Sequence, residues 1–412
     1  MIRSDMQATL DWIATQQQHM VFLTDSWSRI NSGSYHLEGI RKFRGALEDN
    51  FRWLEGDMEV IPLSSIPQIN SQGIEIQVEM AEALSIRKRP EAPIQILLVG
   101  HMDTVYGSDH VFQEPKYLDE NTLNGPGVAD LKGGLVVMLK ALESLEKFSG
   151  KDQLGWQVLL NPDEEIGSVA SDPLLKQAAA GKQLGLIYEP AMEGGALAGE
   201  RKGSGNFSIT VHGRSAHAGR NPEQGRNAIV ACAEITSLLF ALNGKRQGVT
   251  LNPGKVEGGG ALNAVPDLAI IRFNIRTRQS DDEAWVLGEI EKILDGFRDR
   301  DGFSVALYGH FTRAPKPMSP LNKAVFDMVL ACGHELGLEI AIKPSGGCCD
   351  GNNLWRHGLP NVDTLGVRGG QIHSEQEFIL LDSLVERAQL SALLLMKLAA
   401  GELAIADQPV KP

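Results

Sequence analysis

The apolar run Gln95–Gly100 ends in His101 and, two residues on, Asp103. Side chains on a strand alternate faces, so residues two apart point the same way and can touch. A metal-binding imidazole usually gives its second ring N–H to a carboxylate or carbonyl, which fixes its tautomer. The pair is therefore half of a metal site, provided that other ligands exist. The candidates are Asp130 in "NGPGVADLKGG", Glu164 and Glu165 in "NPDEEIGS", Glu189 in "IYEPA" and His373 in "GGQIHSEQEF". Taken singly, each reads as a structural or solvated residue. Jointly they meet a narrower requirement. A hydrolytic site with two metals about 3.5 to 4 Å apart needs a bridging carboxylate, terminal ligands on each ion and a water that both cations make nucleophilic. Asp130 can serve as the bridge, and imidazoles with carboxylates suit zinc, with cobalt or manganese also compatible. Of Glu164 and Glu165, one can bind metal while the other acts as general base, because neighbours in an irregular loop point in different directions.

Positioning these residues requires particular elements. The N-terminal half alternates helical patterns with the strand patterns "IEIQVEM", "IQILLVG", "WQVLLNP" and "LGLIYEP", with a helical "LKGGLVVMLKALESLEKF" between the second and third. Short apolar strands separated by helices predict an α/β fold with a mostly parallel sheet covered by helices. The last three strands all end in polar residues, and open α/β sheets collect ligands at the carboxyl ends of their strands. From about Gly203 the order changes to strand, helix, strand, strand, helix, strand, which reads as a separate α+β sandwich. "TRAPKPMSP" is the return linker, followed by a helix, the glycine-rich turn "SGGCCDGNNL", the strand "NVDTLGV" and a closing helix. The expected organisation is a catalytic domain formed by residues 1–200 and 313–412, with 201–312 inserted. His373 then joins His101 although the insertion separates them.

Bulk properties exclude several function classes. The 412 residues carry a formal charge of −13, with 42% apolar and 22% charged residues, ordinary for a soluble globular chain. Nucleic-acid binders need clustered Lys and Arg, and none appears, so no nucleic-acid partner is expected. No apolar run reaches the roughly 18 to 20 residues needed to cross a bilayer, and the N-terminus lacks a secretory signal pattern, which implies a cytoplasmic protein without a membrane partner. Cys232, Cys332, Cys348 and Cys349 show no Cys-x-x-Cys spacing, so reduced thiols are expected. The glycine-rich "GPGVADLKGG" lacks the third glycine of a dinucleotide fingerprint, and there is no Walker loop, Gly-x-Ser-x-Gly elbow or His-Glu-x-x-His.

Seven segments in order, "GHMDTV", "GPGVADLKGG", "DEEIGS", "YEPA", "GRSAHAGRNPEQGRNAI", "GGGALNAVPDLAIIRFNIR" and "IHSEQE", resemble the dinuclear zinc hydrolase family of glutamate carboxypeptidase, acetylornithine deacetylase, succinyl-diaminopimelate desuccinylase and aminoacylase. The resemblance implies one zinc held by His101 and Glu189, a second held by Glu165 and His373, and Asp130 bridging them. It further implies that Asp103 orients His101 and that Glu164 is the general base. In such a homodimer, joined through the inserted domain, His217 reaches the partner subunit's site and stabilises the oxyanion. Asn263 and Arg276 match positions that bind the substrate's carboxylate in carboxypeptidase members. The implied reaction is amide hydrolysis of a small peptide, or alternatively of an N-acyl amino acid. A relative that keeps the fold but only binds a ligand would have no need of Glu164. One departure stands out: Cys348 and Cys349 occupy the turn where many relatives carry glycine and a small residue before Asp. The expected role of these cysteines is filling a tight pocket rather than binding metal.

Overall fold

The structure, a computed structural model, describes residues 2–405. Its central sheet has six strands, running in spatial order 57–61, 83–88, 154–161, 94–101, 184–187 and 361–362. The last four run parallel, and the 57–61 and 83–88 strands add antiparallel at one edge. Strand Leu154–Asn161 is buried at every position and Ile94–His101 at its last six. Such strands carry continuous apolar runs because helices cover both faces. On one face lies helix Gly133–Lys147, itself almost wholly buried, packed against the closing helix Asp382–Ala399. A Cβ at Gly134 would stand 2.1 Å from the carbonyl oxygen of Tyr188. Only glycine admits this approach, and it draws the loop bearing Asp130 against the strand end bearing Glu189.

A second, four-stranded antiparallel sheet is built entirely from residues 203–313, in spatial order 250–258, 268–277, 203–212 and 304–313. Helices Ala228–Phe240 and Ser280–Arg298 pack on one face around Ile209, Val211, Ile235, Ile271, Ile290 and Leu294. The opposite face, with Asn206, Ser208, Arg272 and Asn274, borders a cleft of about 680 Å³ that reaches Glu165. The chain enters and leaves this unit side by side: Arg201 and Lys316 exchange backbone hydrogen bonds at 2.9 Å in each direction. Beside that crossing Asp363 is clamped by Arg201 Nε and Nη2, each at 2.9 Å, and by Lys316 Nζ at 2.8 Å. All three charged side chains are largely buried, so two cations paired with one carboxylate hold the junction.

Three local expectations change. "IEIQVEM" forms no part of the central sheet; Glu75–Val78 instead pairs with Ile66–Ile69 in a two-stranded hairpin. Its side chains stay largely exposed, and Arg272 Nη2 donates to Ile69 O, tying the hairpin to the second sheet. The "SGGCCDGNNL" turn is shorter than its composition suggests, because Asp350–Arg356 is a helix whose N-cap is Cys349, with Sγ accepting from Gly351 N. "NVDTLGV" contributes only Asn361–Val362 as strand.

Candidate metal centre

His101 ends the central strand, and its Nδ1 lies 3.0 Å from the backbone oxygen of Asp103. A carbonyl can only accept, so Nδ1 carries a proton, which leaves Nε2 as the nitrogen that would face a metal. Nε2 lies 3.1 Å from Asp130 Oδ1 and 3.9 Å from Glu189 Oε1. The other Asp130 oxygen, Oδ2, lies 3.3 Å from His373 Nε2, which is also 3.2 Å from Glu165 Oε2. One carboxylate thus turns one oxygen to each of two separate His–Glu pairs. Candidate ligand atoms of His101, Asp130 and Glu165 all fall within 4.8 Å of one another, as do those of His101, Glu164 and Glu189.

The electrostatics ask for cations. Burial, then Asp130, pushes Glu165 up to about 8. Burial pushes Glu164 up to about 7, against the pull of Arg313. Burial, then Asp130 and Glu164, holds Glu189 well above the usual carboxylate range. Burial opposes Asp130's charge too, yet His101 and His373 hold that carboxyl below its ordinary value. Burial also lowers His101, but Asp103 and Asp130 outweigh it, and Asp130 and Glu165 raise His373 to about 11. Glu189 Oε1 is buried without any hydrogen-bond partner. A desolvated carboxylate oxygen left unpaired is costly unless a cation meets it. Mixed imidazole and carboxylate donors of this kind fit divalent metal binding.

Asp103 does more than the sequence suggests. Beyond the His101 contact, its Oδ1 accepts from Glu164 N and its Oδ2 from Glu165 N, both at 3.1 Å, and Ser34 Oγ donates to Oδ2 at 2.7 Å. It fixes the backbone of both glutamates at once. Other supporting residues escape a sequence reading altogether. Glu377 accepts from the backbone N–H groups of Gly127, Ala129 and Asp130 and from the Tyr106 hydroxyl, at 2.8 to 3.2 Å. It binds the loop bearing Asp130 to the segment carrying His373, and its only signal is its place in "IHSEQE". Arg313 donates to Glu164 Oε1 at 2.7 Å, from a segment that reads merely as the end of a strand.

The structure does not bring every candidate to this cluster. His217 is exposed on the second unit, where its Nδ1 accepts from Gly219 N at 3.1 Å. Asn263 is exposed beside it, and its backbone oxygen accepts from Ala218 N. Neither touches the metal-site side chains of its own chain among the described residues. Arg276 is half-buried and donates to Cys348 Sγ at 2.8 Å, one residue from buried Cys349.

The family profile described as Peptidase family M20/M25/M40 matches residues 97–397. The chain belongs to peptidase family M20/M25/M40. It is 26% identical to carboxypeptidase G2 of Pseudomonas sp. (strain RS-16) over 395 residues, covering 94% of this chain and 92% of that one. Succinyl-diaminopimelate desuccinylase 2 of Shewanella loihica is 30% identical over 223 residues, 50% of this chain and 59% of that one. Among solved structures, an M20 family metallo-carboxypeptidase from Sulfolobus solfataricus superposes with a TM-score of 0.74 at 17% identity, over 92% of this chain and 99% of that one. As an M20/M25/M40 peptidase the protein is a metal-dependent amide hydrolase. Among the described residues no helix is long and apolar enough to cross a membrane.

Proposed function

We propose that the protein is a dinuclear zinc carboxypeptidase that removes a carboxylate-bearing amino acid from a small peptide or peptide-like amide. The observation that carries the reading is the placement of the Asp130 carboxylate, one oxygen beside His101, which neighbours Glu189, and the other beside His373, which neighbours Glu165. Two ions held there by His101, Glu189, Glu165, His373 and Asp130 would supply an activated water and polarise the scissile carbonyl. Glu164 takes the water's proton on its carboxylate and returns it to the leaving nitrogen. Asp103 keeps His101 and the two glutamates in register, and Arg276 with Asn263 meets the substrate's carboxylate through a guanidinium fork and an amide. The likeness to carboxypeptidase G2 along nearly the whole chain favours a carboxypeptidase. The partial likeness to a desuccinylase supports an N-acyl amino acid deacylase as the second reading. A hydrolysis screen separates them: peptides ending in glutamate should be cleaved faster than N-acetyl, N-succinyl or N-carbamoyl amino acids. Preference for the acylated amino acids would reverse the assignment.

The working unit in this reading is a cytoplasmic homodimer joined through the inserted unit, residues 201–312. Helix Ala228–Phe240 leaves Val230, Leu238 and Phe240 exposed, the last at 63%, and neighbouring Thr250–Gly258 is an edge strand. Unpaired edges and apolar faces favour association about a twofold axis. Such a dimer lets exposed His217 act in the partner's site, donating to the developing oxyanion. Mixing His217→Ala and Glu164→Ala subunits should then restore activity, because each heterodimer assembles one complete site. Isolated heterodimers as inactive as either parent would remove His217 from the reaction.

A further inference from the structure

The base is held by a residue that none of the motifs contains. Arg313 is the final residue of strand Ser304–Arg313, where the chain leaves the four-stranded sheet to return to the catalytic half. Its side chain is only 2% exposed. Nη2 donates to Glu164 Oε1 at 2.7 Å and to the Glu164 backbone oxygen at 3.0 Å. Nη1 donates to Asp350 Oδ1 at 2.5 Å and to Asn353 Oδ1. Asp350 is anchored in turn by Ser168 Oγ at 2.6 Å and by Asn161 Nδ2 at 2.8 Å. The guanidinium therefore lies between two carboxylates, with its far end tied through Asp350 to Asn161 at the C-terminal end of strand Leu154–Asn161.

This geometry makes the two oxygens of Glu164 unequal. Oε1 is occupied by a charge-assisted hydrogen bond, whereas Oε2 has no hydrogen-bond partner among the described residues. A rigid guanidinium fork fixes the plane of a carboxylate in a way that a lysine ammonium does not. The side chain that does this comes from the junction where the second unit is seated, beside the Arg201, Lys316 and Asp363 cluster.

We propose that Arg313 is the positioning residue of the general base, holding Oε1 so that Oε2 alone faces the water, and that it ties the competence of Glu164 to the seating of the inserted unit. The proposal rests on Glu164 being the base. Arg313→Met should lower kcat by about 10- to 100-fold, the range seen when a residue supporting a metal-site group is lost, with KM and metal content unchanged. The absorption spectrum of the cobalt-substituted protein should also be unaltered, since no ligand moves. Arg313→Lys keeps the charge without the fork and should recover little of the loss. In Arg313→Ala, added guanidinium should restore part of kcat where an equal concentration of ammonium does not.

On a Glu164→Gln background, Arg313→Met should cost little more, because the two residues act as one unit. Full additivity of the two losses, full recovery by lysine, or a lowered metal content would overturn the proposal. Glu164→Gln retaining normal activity would instead remove the underlying assignment of the base. If Arg313→Met fails to fold, the lysine variant and the guanidinium arm give the same decision.

Discussion

Glu164→Gln is expected to lower kcat by about 10²- to 10⁴-fold, the usual contribution of a positioned general base. Glutamine has the same shape, and its amide oxygen can still accept from Arg313 as Oε1 does at 2.7 Å. What disappears is the ability to take a proton and hand it on. KM should hold, and so should the metal content, because the ligand sets centred on Asp130 are untouched. The measurements are steady-state kinetics beside metal analysis of the same preparation. A variant within tenfold of the parent, with full metal, would mean that another group moves the proton.

Asp130→Asn should act earlier, on assembly of the centre itself. Two unit charges 4 Å apart repel by about 4 kcal/mol at an effective dielectric near 20, and two doubly charged ions by about four times as much. In the proposed centre, the Asp130 carboxylate would offset that repulsion at the point where it is strongest. Asparagine keeps one oxygen but turns an NH₂ group toward either His101 or His373, whose nitrogens lie 3.1 and 3.3 Å from the present oxygens. The parent protein should retain about two ions per chain after dialysis without chelator, and the variant about one or fewer. Activity should fall on the order of 100-fold or more, beyond what losing a merely supporting residue costs, and excess metal should not restore it. Full occupancy with normal turnover in the variant would rule out a shared ligand. A parent that binds no metal under these conditions would rule out the centre.

These two variants separate the parts of the site. Glu164→Gln tests proton transfer with the cations in place, whereas Asp130→Asn tests whether the cations are coupled through one side chain. The Arg313 substitutions then ask what keeps the base in position. Metal content separates the Asp130 variant from the other two, and the double variant with guanidinium rescue separates Arg313 from Glu164.

The convergence of His101, Asp130, Glu164, Glu165, Glu189 and His373 was legible because each sits in a short motif at a strand end or glycine-rich loop. Strand periodicity is local, and the apolar runs 94–101, 154–161 and 184–187 are buried strands of the central sheet as their composition implies. The hairpin at 66–78 was misplaced for the opposite reason, since its pattern states that it is a strand but not which strand it pairs with. Glu377 and Arg313 were invisible as functional residues. Their importance lies in contacts with Asp130 and Glu164 that span 247 and 149 residues of sequence, and no local pattern encodes a partner at that distance.

What the chain determined by itself was the chemistry: an inventory of imidazoles and carboxylates in family-like motifs, placed where strands run out and side chains become free to meet a ligand. What only the tertiary structure decided was the division of labour among them. Close approach at Gly134, backbone clamps from Asp103 and Glu377, and the fork of Arg313 give each oxygen of Asp130 its own neighbour and occupy one oxygen of Glu164. Orientation at that level depends on packing and on hydrogen bonds between remote segments, which acquire a geometry only after the chain has folded.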